Sequence, residues 1–255
     1  MKKQQEKEEF MDIIRTLAEE LQIRPGQAEA AVKLIDEGNT IPFIARYRKE
    51  ATGSLNDEVL RALGERLAYL RGLEERKEQV IGSIREQEKL TPELERQIRE
   101  AGTLVAVEDL YRPYKPKRRT RAMIAREKGL EPLADIISLQ VTRQPLEKEA
   151  EAFVAPEKGV ESAGEAVAGA MDILAERISD NAQYRTYIRS ATWNQGILAS
   201  QAKDEGEKSV YEMYYQYTEP VKKAAGHRIL ALNRGEKEKI LTVKIEAPQE
   251  QILRY

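Results

Sequence analysis

Apolar residues recur at three- and four-residue spacing along most of this chain, the period of an amphipathic helix. Phe10, Ile13, Ile14, Leu17 and Leu21 give residues 6 to 22 one apolar face. Ile23-Arg-Pro-Gly26 stops that helix, and Pro25 opens a second with Ala28, Ala31, Val32 and Ile35 inward and its end near Gly38. Two short helices across a tight turn have the outline of a helix-turn-helix. The second helix offers only Lys33 against Glu29, Asp36 and Glu37, which makes it a poor major-groove reader. Thr40 and Pro42 begin a short helix with Phe43, Ile44 and Tyr47 on an apolar face and Arg46, Arg48 and Lys49 on a cationic one. Gly53 breaks it, and Ser54 and Asn56 are candidate caps for a helix from about 57 to 88. Leu60, Leu63, Leu67 and Leu70 repeat there at 3-4-3, and Leu73, Val80, Ile81 and Ile84 continue with a shifted phase. Some thirty helical residues span roughly 45–50 Å, the dimension of a scaffold strut or half of a coiled-coil-like pair.

Thr91-Pro-Glu93 supplies a cap, a first-position proline and a first-turn acid for a helix carrying Leu94 and Ile98 and stopping at Gly102. Met123, Ile124 and Leu130–Leu139 predict short helices punctuated by Gly129 and Pro132. Residues 142–162 are polar and hold one short helix at most. Ser162-x-x-Glu165 is a capping-box pattern ahead of a small-residue helix over Ala166–Ile178. Tyr184–Ala202 reads as a further helix containing Trp193. The tyrosines of Val210–Tyr217 read better as core packing than as base-stacking platforms. His227–Leu232 and Ile240–Ile245 are β-rich runs flanking Asn233-Arg-Gly-Glu236, which predicts a β-hairpin. The expected class is therefore mostly α: a multi-helical bundle with an N-terminal helix-turn-helix-like element (residues 1–55), a central helical region with one long helix (56–222) and a C-terminal β-hairpin (223–255). An isolated hairpin is marginal in water, so a chain stopping at Tyr255 reads as a fragment of a longer protein.

Composition narrows the chemistry. The 255 residues are 41% hydrophobic and 34% charged, enough for a core and for long exposed helical faces. With no cysteine, disulfides, thiolate metal sites and a cysteine nucleophile are excluded. His227 is the one histidine, which excludes a Ser-His-Asp triad and multi-histidine metal sites within the chain. We read it as structural or as part of a weaker basic patch with Lys222, Lys223 and Arg228. No glycine loop precedes a Lys-Ser/Thr pair. Acidic groups such as Glu74/Glu75/Glu78 and Glu147/Glu149/Glu151 read as solvated faces and not as magnesium sites. No apolar run approaches the roughly 20 residues that span a bilayer, and the N-terminus lacks a signal-peptide core. The expectation is a cytoplasmic protein that is not an enzyme, has no cofactor and has no membrane partner.

The formal net charge is -2, yet residues 111 to 126 hold Arg112, Lys115, Lys117, Arg118, Arg119, Arg121 and Arg126 and no acid. Pro113 and Pro116 favour an extended loop there. An extended cationic loop is a candidate contact for RNA or DNA backbone, independent of sequence and sensitive to salt. Arg112, Lys115, Lys117, Arg118, Arg119 and Arg121 are the candidate phosphate ligands, with Tyr111 and Tyr114 as candidate stackers. The competing expectation is a structural helical scaffold whose basic loop pairs with acidic protein surfaces.

Four ordered segments carry a resemblance: Glu37–Gly53 (EGNTIPFIARYRKEATG), Val107–Arg121 (VEDLYRPYKPKRRTR), Gly129–Ala134 (GLEPLA), and Glu219-Pro220 followed by His227–Gly235 (HRILALNRG). They resemble hallmark segments of the Tex family of bacterial transcription accessory proteins. The resemblance implies a multidomain nucleic-acid-binding protein linked to transcription and RNA processing. It implies an N-terminal helical region, an RNase-H-like YqgF domain, helix-hairpin-helix motifs and an OB-fold RNA-binding domain. This chain corresponds to the N-terminal third of that plan, so a nuclease role resting on the RNase-H-like domain finds no support in these residues.

Overall fold

The computed structural model describes residues 13–140, 142, 144–206 and 208–255. The part of the first apolar face that Phe10 provides lies outside them. The chain divides into two compact units, residues 1–108 and 109–255. The expected boundaries near 55 and 222 do not coincide with this division.

In the first unit, helix α1 (residues 13–20) and α2 (Pro25–Asp36) are joined by a short turn, and α3 (Ile41–Tyr47) follows. Helix α4 (Asp57–Glu86) is the long element, capped where Asn56 Oδ1 accepts from the Val59 amide at 2.8 Å. Its Leu60, Leu63, Leu67 and Leu70 bury against Ile13, Leu17, Ala28, Val32 and Ile44 from α1, α2 and α3. The 3-4-3 leucine spacing thus became the seam of a small core. Helix α5 (Pro92–Glu100) starts as expected, with Thr91 Oγ1 accepting from the Leu94 amide. It packs on α4, and the buried Lys77 ammonium bridges the two by donating to Glu74 and to the Arg99 carbonyl.

The boundary between units falls inside α6 (Leu104–Tyr111). In the second unit α7 (Arg121–Glu127), α8 (Glu131–Leu139) and α9 (Leu146–Glu151) surround α10 (Ala163–Asp180). Ala122, Ala125, Leu130, Leu133, Val160, Ala166, Ala170 and Ile173 form this core. Gly169 lets α10 approach closely, because a β-carbon there would lie 2.4 Å from Leu130 Cδ1. The Ser162 cap is present, but Glu165 accepts from the Glu161 amide and not from the Ser162 amide, so the reciprocal half of the box is displaced by one residue.

Helix α11 (Ala182–Gln195) ends earlier than expected. Residues Ile197–Ala202 are strand β1, the middle of an antiparallel sheet in the order β2-β1-β3, with β2 at Gln216–Pro220 and β3 at Leu241–Glu246. The antiparallel β element expected toward the C-terminal end is present, but its strands differ. Residues 227–232 are not a strand: they lie in helix α12 (Gly226–Lys237), which buries Leu232 and sets Gly235 against Leu241 and Tyr211. A short apolar run does not discriminate a buried helix face from a strand. Arg228, Leu232 and Gly235 already stood at helical spacing. β3 pairs with β1, aligning Leu198 with Ile245 and Ser200 with Val243. Tyr211, Tyr214 and Tyr215 are buried beside Leu198, Leu232 and Leu241, which places the tyrosine cluster in a core. A final helix, α13, spans Gln249–Arg254. No helix among the described residues is long and apolar enough to cross a membrane.

Candidate nucleic-acid interface

The cationic segment follows α6 as one 3-10 turn, Arg112–Tyr114, and an irregular stretch that ends where Thr120 caps α7. Pro113 and Pro116 account for that break in helix. The segment lies against the C-terminal end of α10, where Glu176 and Asp180 sit. A helix C-terminus disfavours negative charge, so these two carboxylates need cations, and the loop delivers them. Arg112 Nε donates to Asp180 at 3.0 Å, and Lys117 Nζ donates to Asp180 and lies 3.3 Å from Glu176. Arg126 donates to Glu176 at 2.7 Å, and the Thr120 hydroxyl donates to the same carboxylate at 3.1 Å while its oxygen caps α7. Burial alone would raise the Glu176 carboxyl, but hydrogen bonds from Arg126, Lys117 and Thr120 outweigh it and hold the group below the ordinary carboxylate range.

The loop's charges therefore divide into two sets. Arg112 and Lys117 fasten the backbone to α10. Arg118 is exposed and makes no hydrogen bond or ion pair among the described residues. Arg119 pairs with Glu127 at 2.7 Å, but both side chains are mostly exposed. Arg121 is 86% exposed and lies 3.5 Å from Asp172. Exposed pairs of this kind contribute about 0–1 kcal/mol, so neither carboxylate holds its arginine tightly. Lys115 is exposed and Tyr114 half-buried. Tyr111 is buried at 8% exposure, as the last residue of α6, and presents no ring face for a base.

A second ionic cluster escaped the sequence reading. Asp109, 4% exposed, accepts from Arg185 and from Arg189, each at 2.6 Å. Burial would raise its carboxyl, but the two arginines together hold it below the usual value. No local signal links residues 76 and 80 positions apart. In the weaker basic patch, Arg228 is engaged by Glu219 at 2.7 Å, and Lys222 donates to Asn194 at 3.3 Å. His227 sits exposed in the first turn of α12. Among the described residues, no group of histidine and carboxylate side chains is arranged to hold a metal ion.

Fold and interface together define a mostly helical protein whose cationic loop is half fastened and half presented. Residues 11–85 match the Tex-like protein N-terminal domain, and residues 141–254 match the Tex central region. The chain belongs to the Tex family. It is 47% identical to protein Tex of Bordetella pertussis, over 91% of this chain and 30% of that protein. It is 45% identical to transcriptional accessory protein Tex of Neisseria gonorrhoeae, over 92% of this chain and 31% of that protein. It is 28% identical to the human S1 RNA-binding domain-containing protein 1, over 92% of this chain and 24% of that protein. The chain thus spans about a third of the length of the bacterial relatives it matches. The basic loop lies between the two matched stretches.

Proposed function

We propose that this chain is a non-enzymatic helical module of a transcription-linked, nucleic-acid-binding protein that works in the cytoplasm with the transcription or RNA-processing machinery. In this reading the 111–121 loop contacts RNA or DNA backbone. The names of the gonococcal and human relatives, one a transcriptional accessory protein and the other RNA-binding, support the general class. The observation that carries the reading is the division of charge within the loop. Arg118 has no partner among the described residues, Arg119 has only an exposed one, Arg121 is itself 86% exposed beside the half-buried Asp172, and Arg112 and Lys117 hold the intervening backbone in place. A fastened loop presents cations with little ordering entropy left to lose on binding. The scaffold reading draws on the other half of the same observation, because Arg112 and Lys117 are spent on α10.

The Arg118→Glu/Arg119→Glu variant is expected to weaken binding of a labelled single-stranded oligonucleotide at least about tenfold at low salt, with helicity unchanged. Fluorescence anisotropy with a circular-dichroism control measures both. Wild-type affinity that is insensitive to salt, or a folded variant that binds as well as wild type, would remove the loop from the interface.

A further inference from the structure

The first unit carries a second cationic surface that the loop does not explain. Helix α3 and the turn after it bring Phe43, Arg46, Tyr47, Arg48 and Lys49 to the exterior, and all five are exposed. Tyr47 is 63% exposed and Phe43 38%, with ring centroids 5.2 Å apart. The Arg48 guanidinium lies over the Phe43 ring at 5.6 Å. Among the described residues, Arg46 and Lys49 make no hydrogen bond or ion pair, and Arg48 has no carboxylate partner. Several arginines elsewhere in this unit pair with carboxylates, Arg61 with Asp57, Arg66 with Glu20, Arg71 with Asp36, and Arg99 with Glu78 and Glu95, whereas Arg24 donates to the Gln27 side chain. Three neighbouring cations thus have no carboxylate partner among the described residues, and Glu50 is the acid next to them in sequence.

The backbone under these side chains is fixed. Thr52, fully buried, donates its hydroxyl toward the Arg48 and Lys49 carbonyls, and its amide also donates to Arg48. The Ser54 amide donates to the Lys49 carbonyl at 2.7 Å. Gln27 reaches across from α2 to donate to the carbonyls of Thr52 and Gly53. Gly53 and Ser54 both take left-handed backbone conformations, φ 61° and 66°. A β-carbon on Gly53 would meet the Gln27 amide at 2.9 Å and the Arg24 guanidinium at 3.1 Å. Two successive left-handed residues, one of them not glycine, cost energy that the surrounding hydrogen bonds offset. The turn is built, and among the described residues the three cations it presents have no carboxylate partner.

We infer that the face formed by Phe43, Arg46, Tyr47, Arg48 and Lys49 is a second nucleic-acid contact, one that takes single-stranded RNA or DNA by base stacking on Tyr47 and phosphate pairing with Arg46 and Lys49. Exposed rings interleaved with unpaired cations are the combination that single strands use, because every base has a ring face and every nucleotide a phosphate. An acidic protein segment would satisfy the cations and leave the rings uncovered.

The test rests on nucleic-acid binding by the chain but not on the 111–121 loop. Anisotropy titrations of labelled oligo(U) and oligo(dT) at two salt concentrations compare the wild type with Tyr47→Ala, Arg46→Gln/Lys49→Gln and Arg118→Glu/Arg119→Glu. Tyr47→Ala is expected to weaken both oligonucleotides about tenfold. Arg46→Gln/Lys49→Gln should lower the slope of log affinity against log salt by about 1.4, the share of two phosphate contacts on a single strand. If the loop variant loses binding while both α3 variants keep it, the inference fails and the loop reading stands; the reverse result sinks the loop and supports the α3 face. Equal binding of polyglutamate, or no binding of either oligonucleotide by the wild type, overturns the inference.

Discussion

Replacing Asp109 with alanine is expected to lower the unfolding free energy of residues 109–255 by about 3 kcal/mol, because it removes the shared acceptor of two arginines. Asp109 is 4% exposed, and Arg185 and Arg189 each hold it at 2.6 Å. The arginines are about a third to half exposed, at 32% and 46%, and regain some hydration in the variant. That places the loss at the low end of what breaking a buried ion pair costs. The same cluster sets a pH dependence. The folded carboxyl is held below its unfolded value, so its contribution is complete above the ordinary aspartate pKa of about 3.9 and disappears as pH falls through the folded value. Denaturant unfolding from neutral pH downward should show the Asp109→Ala deficit constant above about pH 5 and shrinking in acid. A deficit that persists unchanged well below the folded pKa would mean that packing, and not charge, is what the substitution removes.

Leu63→Ala is expected to cost about 3 kcal/mol as well, by a different mechanism. Leu63 is fully buried at the point where α4 meets the residues of α1, α2 and α3. Truncation deletes apolar contacts and leaves a cavity that rigid helices fill only partly. Amide hydrogen exchange distinguishes the two variants. Leu63→Ala should accelerate exchange among the core helices of residues 13–86, and Asp109→Ala among α10 and α11. A loss below about 1 kcal/mol for Leu63→Ala would show that this seam repacks around the smaller residue.

Much of the helical framework was legible because its signals are local. Asn56, Thr91 and Ser162 were readable as caps, and each accepts the expected amide. The leucine phase of α4 predicted both its buried face and its length to within two residues. The sheet was not legible, because β1 is defined by partners 15 to 49 residues away: Gln201 pairs with Gln216, and Ile197 with Glu246. A run such as Ile197–Ala202 has no alternation that marks it as a central strand. The candidate interface was legible as composition but not as geometry. Seven cations without an acid were plain in the sequence, whereas Glu176 and Asp180, which fasten Lys117, Arg126 and Arg112, stand 50 to 68 residues downstream. Tyr111 was the exception. Expected as a stacker, it is buried at the end of α6, and its four-residue spacing from Val107, which is also buried, is the local signal that could have shown this.

The central claim is that the basic loop performs two tasks with two sets of residues. The direct measurement is a pair of charge-removing variants, Arg112→Gln/Lys117→Gln and Arg118→Gln/Arg121→Gln, each assayed for thermal unfolding and for salt-dependent binding of a labelled oligonucleotide. The account predicts that the first pair lowers the melting temperature while the folded protein retains most of its affinity. It predicts that the second pair leaves melting unchanged and reduces the salt slope by about 1.4 on a single strand. Equal losses of binding from both pairs, or none from the second, would contradict the division of roles.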